Sequence, residues 1–134
     1  MTITLLKSKL HRAVVTQTEL DYVGSITLDA HLMSQAGLLE YEKVLVVDIN
    51  NGSRFETYCL KGEPGSGMVC INGAAARLVS KGDVVIVMAF CEISPQQAAS
   101  HRPKVLFLND DNEIVEVADA EKHGDKITDK KKRG

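Results

Sequence analysis

The chain has 134 residues, a length that accommodates one domain with one buried core. Hydrophobic residues make up 44%, which excludes disorder of the whole chain, and the net charge of -2 leaves no basic surplus for binding nucleic acid. No apolar run approaches the roughly 18 residues of a membrane helix, and the N-terminus lacks a secretory signal. We therefore expect a cytoplasmic protein without a membrane partner.

Period-two alternation and β-branched runs dominate the chain and predict short strands separated by turns. The predicted strands cover residues 3–6, 9–16, 25–30, 43–49, 53–60, 68–73, 84–93, 104–110 and 113–118. Asn51-Gly52 is the strongest hairpin signal, between the strands at 43–49 and 53–60. This spacing predicts a mainly β fold, a β-barrel with a few short helices.

The helices in this prediction are short and are marked by their caps. Asp29 can cap a helix that Gly37 ends, and Ser94 can cap a second one. One helical turn is predicted at residues 74–80. Because aromatic residues make up only 4% of the chain, Val, Ile and Leu must fill the core, and an oligomer would help to cover the barrel's edges.

The composition changes at about residue 119. Residues 119–134 are highly charged and have no sustained apolar period, so we expect a mobile tail after a single domain at 1–118. The terminal KKKR is typical of a solvated charged run, and the alternative is a weak contact site for anions.

The cysteines and histidines predict neither a disulfide framework nor a metal site. Three cysteines are odd in number and lack Cys-x-x-Cys spacing, so we expect reduced, mostly buried thiols. The four histidines are scattered and form no ligand cluster. These residues are Cys59, Cys70, Cys91, His11, His31, His101 and His123.

The Gly24-Ser25 pair has two interpretations. Taken alone it is typical of an ordinary turn, in which Gly supplies a positive φ. The alternative is self-cleavage: the Ser25 hydroxyl attacks the Gly24 carbonyl, where glycine relieves crowding and tolerates strain. Elimination and hydrolysis then leave a pyruvoyl group, whose ketone can form an imine with an amine substrate.

The hairpin strand at residues 53–60 carries a second candidate set. Arg54, Glu56 and Tyr58 share one strand face, and Thr57 points to the other. Arg54 can clamp a carboxylate and Tyr58 can carry a proton. The alternative is a solvated hairpin edge.

Two further stretches are suited to an anionic ligand. Small residues after Asn72-Gly73 leave backbone N–H groups open to an anion, or simply form a tight turn. Lys9 and His11 share a strand face beside Lys7, either as a solvated basic edge or as cations that face a dianionic substrate.

The order and spacing of these motifs are specific when they are taken together. K-x-H-R at 9–12, Y-x-G-S at 22–25, N-G-x-R-x-x-T-Y at 51–58 and N-G-A-A-A at 72–76 occur in this order. Over residues 1–118 the chain strongly resembles the aspartate 1-decarboxylase family, pyruvoyl-dependent enzymes that make β-alanine for pantothenate synthesis. The resemblance implies a double-psi β-barrel and a homotetramer with active sites between subunits.

The resemblance also implies an inactive precursor that is cut between Gly24 and Ser25 into fragments 1–24 and 25–134. Ser25 becomes the pyruvoyl group, so neither a metal nor pyridoxal phosphate is expected. The family's cleavage threonine corresponds to Thr57, which stabilises the oxyanion, and its proton donor corresponds to Tyr58. The sequence is compatible with spontaneous cleavage and with cleavage assisted by a maturation helper protein.

The resemblance further implies which residues bind L-aspartate. The positions that contact substrate or line its site are Lys9, His11, Tyr22, Arg54, Thr57, Asn72, Gly73, Ala74 and Ala75. Two positions depart from the family pattern: Val47 stands where some members carry Trp, and Arg77 stands where many carry His. Neither has an assigned role, so the departures affect only the detail of the pocket.

Two alternatives to an aspartate decarboxylase stay open. One is a non-catalytic small barrel that binds an anion or a partner protein and is never cleaved. The other is a pyruvoyl decarboxylase for another amino acid such as glutamate, since one methylene group changes binding by only about 1–3 kcal/mol.

Overall fold

A computed structural model describes residues 1–125 of the protein, so the KKKR run of the sequence lies outside the described residues. The strands are β1 (Ile3–Val14), β2 (Gln17–Glu19), β3 (Ser25–Asp29), β4 (Lys43–Asp48), β5 (Arg54–Gly62), β6 (Val69–Asn72), β7 (Val84–Ile93), β8 (Lys104–Leu108) and β9 (Ile114–Ala118). The helices are α1 (Ala30–Ala36), a 3-10 helix (Gly73–Arg77) and α2 (Pro95–Ala98). No helix among residues 1–125 is long and apolar enough to cross a membrane.

The strands form one sheet that closes on itself. Its order is β2-β6-β3-β5-β4-β7-β1-β8-β9, and β1 continues through Val15 and Thr16 directly into β2. Because β1 pairs with β7 and β2 pairs with β6, this one stretch of chain joins the two sides of the sheet into a ring. The Thr16 N–H donates to the Val69 carbonyl at 2.8 Å and completes the closure. The predicted mainly β barrel with short helices is confirmed.

Parallel pairing is the feature that alternation alone did not predict. The pairs β1–β8, β2–β6 and β3–β5 are parallel, and the remaining pairs are antiparallel. The three-residue strand β2 was also missed, because Gln17–Glu19 has no apolar alternation. The predicted strands at residues 3–6 and 9–16 are one strand in the structure, β1, with irregularities in its pairing to β7.

The core consists of aliphatic side chains, as the low aromatic content predicted. Among aromatic side chains, all of which lie in the described residues, only Phe107 is buried. Each fully buried Leu, Ile or Val contributes about 1.5–3 kcal/mol relative to an exposed position. The largest fully buried side chains are Leu10, Ile26, Leu28, Leu32, Met33, Ile71, Leu106, Leu108, Val15, Val44, Val46 and Val69.

The capping residues act as predicted. Asp29 accepts a hydrogen bond from His31 N at 2.8 Å, and Gly37 ends α1 with a φ of 75°. Ser94 forms a capping box at α2. Asp29 also accepts from Gly65 N and Gly67 N, both at 2.9 Å, and so ties the loop before β6 to the end of β3. Burial alone raises the pKa of Asp29, but these backbone donors outweigh burial and hold its pKa below 3.8.

We expect Asp29→Ala to destabilise the fold by about 2–4 kcal/mol, because a helix cap and two loop hydrogen bonds are lost together. A carboxyl with a lowered folded pKa stabilises the protein above its ordinary pKa, and this stabilisation is lost as pH falls. The difference in unfolding free energy between wild type and variant should therefore narrow below about pH 4. Urea unfolding at several pH values measures this difference, and a variant at the exposed Asp119, Asp119→Ala, is the control. A difference that does not depend on pH would contradict the conclusion that the ionised Asp29 carboxylate stabilises the fold.

Candidate active site

Ser25 lies at the start of β3 and is 1% exposed. Strand β6 runs antiparallel beside it with Asn72 directly opposite Ser25. The Ser25 hydroxyl accepts a hydrogen bond from Asn72 Nδ2 at 2.9 Å and donates to the Val23 carbonyl at 3.2 Å. The nucleophile proposed from the sequence is therefore buried and fixed by two hydrogen bonds beside the Gly24 peptide.

Asn72 is engaged through both ends of its amide. Besides Ser25, Nδ2 donates to Thr27 Oγ1 at 2.9 Å, and Oδ1 accepts from the Cys70 thiol at 3.1 Å. The side chain is 3% exposed, so this network replaces water as its hydrogen-bonding environment. The resemblance implied that Asn72 only lines the site, and the structure places it on the Ser25 oxygen.

The close approach in this region occurs at Gly73. Its φ is 76°, and a Cβ added there would lie 2.6 Å from Gly24 Cα and 2.9 Å from Gly24 N. Gly24 itself is not among the positive-φ residues, and the nearest atom to a Cβ added there is 3.9 Å away. The positive φ expected at Gly24 from an ordinary turn is therefore wrong for this backbone, whereas its part in the attack by Ser25 stays a prediction. The steric need for glycine lies at Gly73, against which the peptide before Ser25 packs.

Thr57 and Tyr58 lie on β5, the parallel neighbour of β3. Their pairing begins with Ile26 opposite Cys59, so the preceding residues Ser25 and Tyr58 lie at the same end of the two strands. Across the other edge of β5, Thr57 pairs with Val44 in β4. Both Thr57 and Tyr58 are half-buried. The structure thus brings the strand of the expected proton donor alongside the strand of Ser25.

The expected basic residues of the substrate site lie in two parts of the barrel. Lys9 is in β1, between β7 and β8, and its Nζ forms an ion pair of 2.8 Å with Glu121. His11 lies farther along β1, with its ring 5.6 Å from the Phe107 ring. Arg54 is exposed at the first position of β5. Within one chain, the expected site residues therefore lie in two places, the β3–β5–β6 region and β1.

The remaining expected residues flank the Gly24-Ser25 bond. Tyr22 is 59% exposed, and its carbonyl oxygen would lie 3.2 Å from a Cβ added at Gly73. Ala74 is exposed and Ala75 half-buried in the 3-10 helix that follows Asn72. The segment before the buried Ser25 is therefore at the surface.

Sequence reasoning missed Cys70 and Thr27, which complete the network around Asn72. Cys70 lies opposite Thr27 in the same strand pair that places Asn72 opposite Ser25. Residues two apart on a strand share a face, so the sequence places Cys70 beside Asn72 and Thr27 beside Ser25. That the two pairs contact each other could be predicted only by knowing that β3 and β6 are neighbours. Burial, followed by the negative charge of Glu19, raises the pKa of the Cys70 thiol, which keeps it protonated.

We expect Gly73→Ala to lower the unfolding free energy by about 2 kcal/mol or more, because a left-handed φ and a backbone clash are both unfavourable to alanine. Gly24→Ala is the matched control, and its loss should stay under about 1 kcal/mol since there is room for the methyl group. Both are measured by urea unfolding in an uncleavable Ser25→Ala background. Equal losses in the two variants would contradict the close approach at Gly73.

Comparison with known proteins gives consistent matches. The family model described as aspartate decarboxylase matches residues 1–115. Aspartate 1-decarboxylase of Clostridium acetobutylicum is 58% identical over 124 residues, covering 92% of this chain and 98% of that protein. The enzyme of the same name from Caldicellulosiruptor saccharolyticus is 57% identical over 125 residues, covering 93% of this chain and 98% of that protein.

Among solved structures, the chain is similar to a computationally designed protein named msDPBB_sym2. The TM-score is 0.44 at 18% sequence identity, covering 66% of this chain and 99% of that chain.

Proposed function

The chain belongs to the aspartate decarboxylase family, and we propose that it converts L-aspartate to β-alanine and CO2 for pantothenate synthesis, using a pyruvoyl group made from Ser25. The observation that carries this proposal is the hydrogen bond from Asn72 Nδ2 to Ser25 Oγ beside the Gly24 peptide. A donor on Oγ assists self-cleavage, because Oγ leaves with negative charge during the elimination. A binding module that is never cleaved has no such use for it. The fold is the double-psi β-barrel of the family.

Maturation begins when Ser25 Oγ attacks the Gly24 carbonyl carbon. The C–N bond breaks, the amine takes the hydroxyl proton, and an ester joins the two residues. Loss of the Ser25 Cα proton then expels Oγ with Gly24 as a carboxylate, and water replaces the resulting enamine nitrogen as ammonia leaves. Negative charge develops on Oγ as it leaves in the elimination, and the Asn72 N–H is aimed at that atom. Thr57 stabilises the oxyanion of the first stage, as in the family.

The surroundings of Ser25 fit a pyruvoyl group. The residue is buried and adjoins an amide donor, and the glycine at position 73 leaves the backbone room to approach. The group supplies a ketone that reacts with the substrate amine and accepts the electrons of the breaking carbon–carboxylate bond. No pyridoxal phosphate or metal is needed for that chemistry.

The chain's own side chains bind and protonate the substrate. Arg54 and Lys9 hold the two carboxylates of aspartate and determine which one leaves as CO2. Backbone N–H groups at residues 73–75 orient the substrate beside His11, Tyr22 and Asn72. Tyr58 then donates its phenolic proton to the substrate Cα, which balances the loss of CO2.

The division of these residues within one chain supports a homotetramer with active sites between subunits. Lys9 and His11 lie on β1, whereas Ser25 lies between β5 and β6, so the cations serve the Ser25 of a neighbouring subunit. The segment before the cleavage bond exposes apolar side chains that a neighbour would cover, with Leu20 41%, Tyr22 59% and Val23 79% exposed. We place the enzyme in the cytoplasm, where its three free cysteines stay reduced and a maturation helper protein can act.

Ser25→Ala should remain one uncut chain of 134 residues without turnover, while the wild type yields fragments 1–24 and 25–134. Denaturing mass spectrometry of the purified proteins measures this and shows whether the larger fragment begins with a pyruvoyl group. A wild-type chain that stays intact would favour the non-catalytic binding module. Parallel assays with aspartate and glutamate test the substrate assignment, and preferred turnover of glutamate would overturn it.

Tyr58→Phe should be cleaved normally but lose about 10²-fold or more in kcat, because the proton donor to Cα is removed and the ring is retained. Mass spectrometry establishes cleavage, and steady-state kinetics with aspartate measures kcat. Tyr41→Phe is the matched control, since its exposed ring lies 6.4 Å from the Tyr58 ring. Normal turnover by Tyr58→Phe would remove Tyr58 from this role.

A further inference from the structure

We propose that Cys70 is a positioning residue for self-cleavage, because its S–H bond to Asn72 Oδ1 holds the Asn72 amide with Nδ2 facing the Ser25 oxygen. This inference rests on the proposed function, since it concerns how the precursor is cut. It assigns a role to a buried thiol that neither binds substrate nor reacts.

Four side chains form one hydrogen-bonded group on β3 and β6, in which Ser25, Cys70 and Asn72 are buried and Thr27 is half-buried. Ser25 pairs with Asn72 and Thr27 pairs with Cys70 across the two strands. The Cys70 Sγ lies 3.1 Å from Asn72 Oδ1, while Asn72 Nδ2 lies 2.9 Å from both hydroxyl oxygens. Cys70 is 4% exposed, so the thiol has no competing access to bulk water.

The thiol distinguishes the two ends of the amide from the Oδ1 side. The Thr27 hydroxyl can donate or accept, so it can pair with either Oδ1 or Nδ2. The Ser25 hydroxyl accepts from Nδ2 while it donates its own proton to the Val23 carbonyl. A protonated thiol donates to Oδ1, whereas sulfur is a weak acceptor for Nδ2. Burial and Glu19 raise the pKa of the Cys70 thiol, which keeps it in the donating form. Cys70 therefore favours the orientation in which Nδ2 faces Ser25.

The orientation of the amide determines the sign of the charge that Ser25 meets. With Nδ2 toward Oγ, an N–H dipole stabilises the negative charge that Oγ takes up as it leaves in the elimination. After a flip, the partial negative charge of Oδ1 would face Oγ and disfavour that stage. Fixing the amide in advance also avoids reorientation during the reaction, which is how preorganised donors lower a barrier.

The test follows the cleavage rate of the full-length precursor after synthesis, by denaturing gels and mass spectrometry. Cys70→Ala should slow cleavage about three- to tenfold, the effect of one neutral hydrogen bond. Cys70→Ser restores a donor at the same place and should cleave within about twofold of wild type. In an Asn72→Ala background, Cys70→Ala should add no further slowing, because the thiol acts through that amide.

Cys59→Ala is the matched control, since Cys59 is also a buried thiol and lies on β5. It loses the same atoms as Cys70→Ala and should keep the wild-type cleavage rate. Urea unfolding of both variants in the Ser25→Ala background measures their stability, and we expect comparable losses of unfolding free energy. A slower cleavage of Cys70→Ala alone is then due to positioning and not to stability.

Three results would overturn the inference and leave the proposed function intact: wild-type cleavage by Cys70→Ala, equal slowing by Cys70→Ser and Cys70→Ala, or slowing by Cys70→Ala that persists without the Asn72 amide. An uncut wild-type chain would overturn the proposed function and this inference together.

Discussion

The pairing of β3 with β6 is the constraint on which the site depends. It places Ser25 opposite Asn72 although the two residues are 47 positions apart, and it buries both. A slip of one residue would turn the Ser25 side chain to the other face of the sheet. The same pairing brings Gly73, the residue after Asn72, against the Gly24 backbone. The Ser25 hydroxyl and the Gly24 peptide are therefore held in place by one strand register.

The Asn72 amide is shielded from water, so its hydrogen bonds must come from the protein. The amide has partners at both ends, and an unsatisfied polar group at such a depth would cost about 1–3 kcal/mol. The network also gives Ser25 a donor on its oxygen and an acceptor for its proton, the Val23 carbonyl. The same hydrogen bonds thus satisfy the polar groups of the fold and hold the Ser25 hydroxyl in one orientation.

Closure of the barrel separates two of the expected site residues in space. The stretch of chain that forms β1 and β2 pairs with β7 and then with β6, which places Lys9 on a different side of the ring from Ser25. In the isolated chain Lys9 is neutralised by Glu121, a residue just beyond β9. In the proposed role of Lys9, a substrate carboxylate would have to compete with Glu121 for this cation. The predicted mobility of residues 119–134 stays a prediction.

The sequence by itself determined the local structure and the family. Helix caps such as Asp29 and the Asn51-Gly52 turn depend on contacts within a few residues, so they can be recognised without a fold. Only the tertiary structure decided which side chains meet. The hydrogen bond from Cys70 to Asn72, the close approach at Gly73 and the pairing of Lys9 with Glu121, 112 residues away, depend on strand order and register. Alternation along a strand specifies which faces are buried, but it does not specify which strand lies alongside.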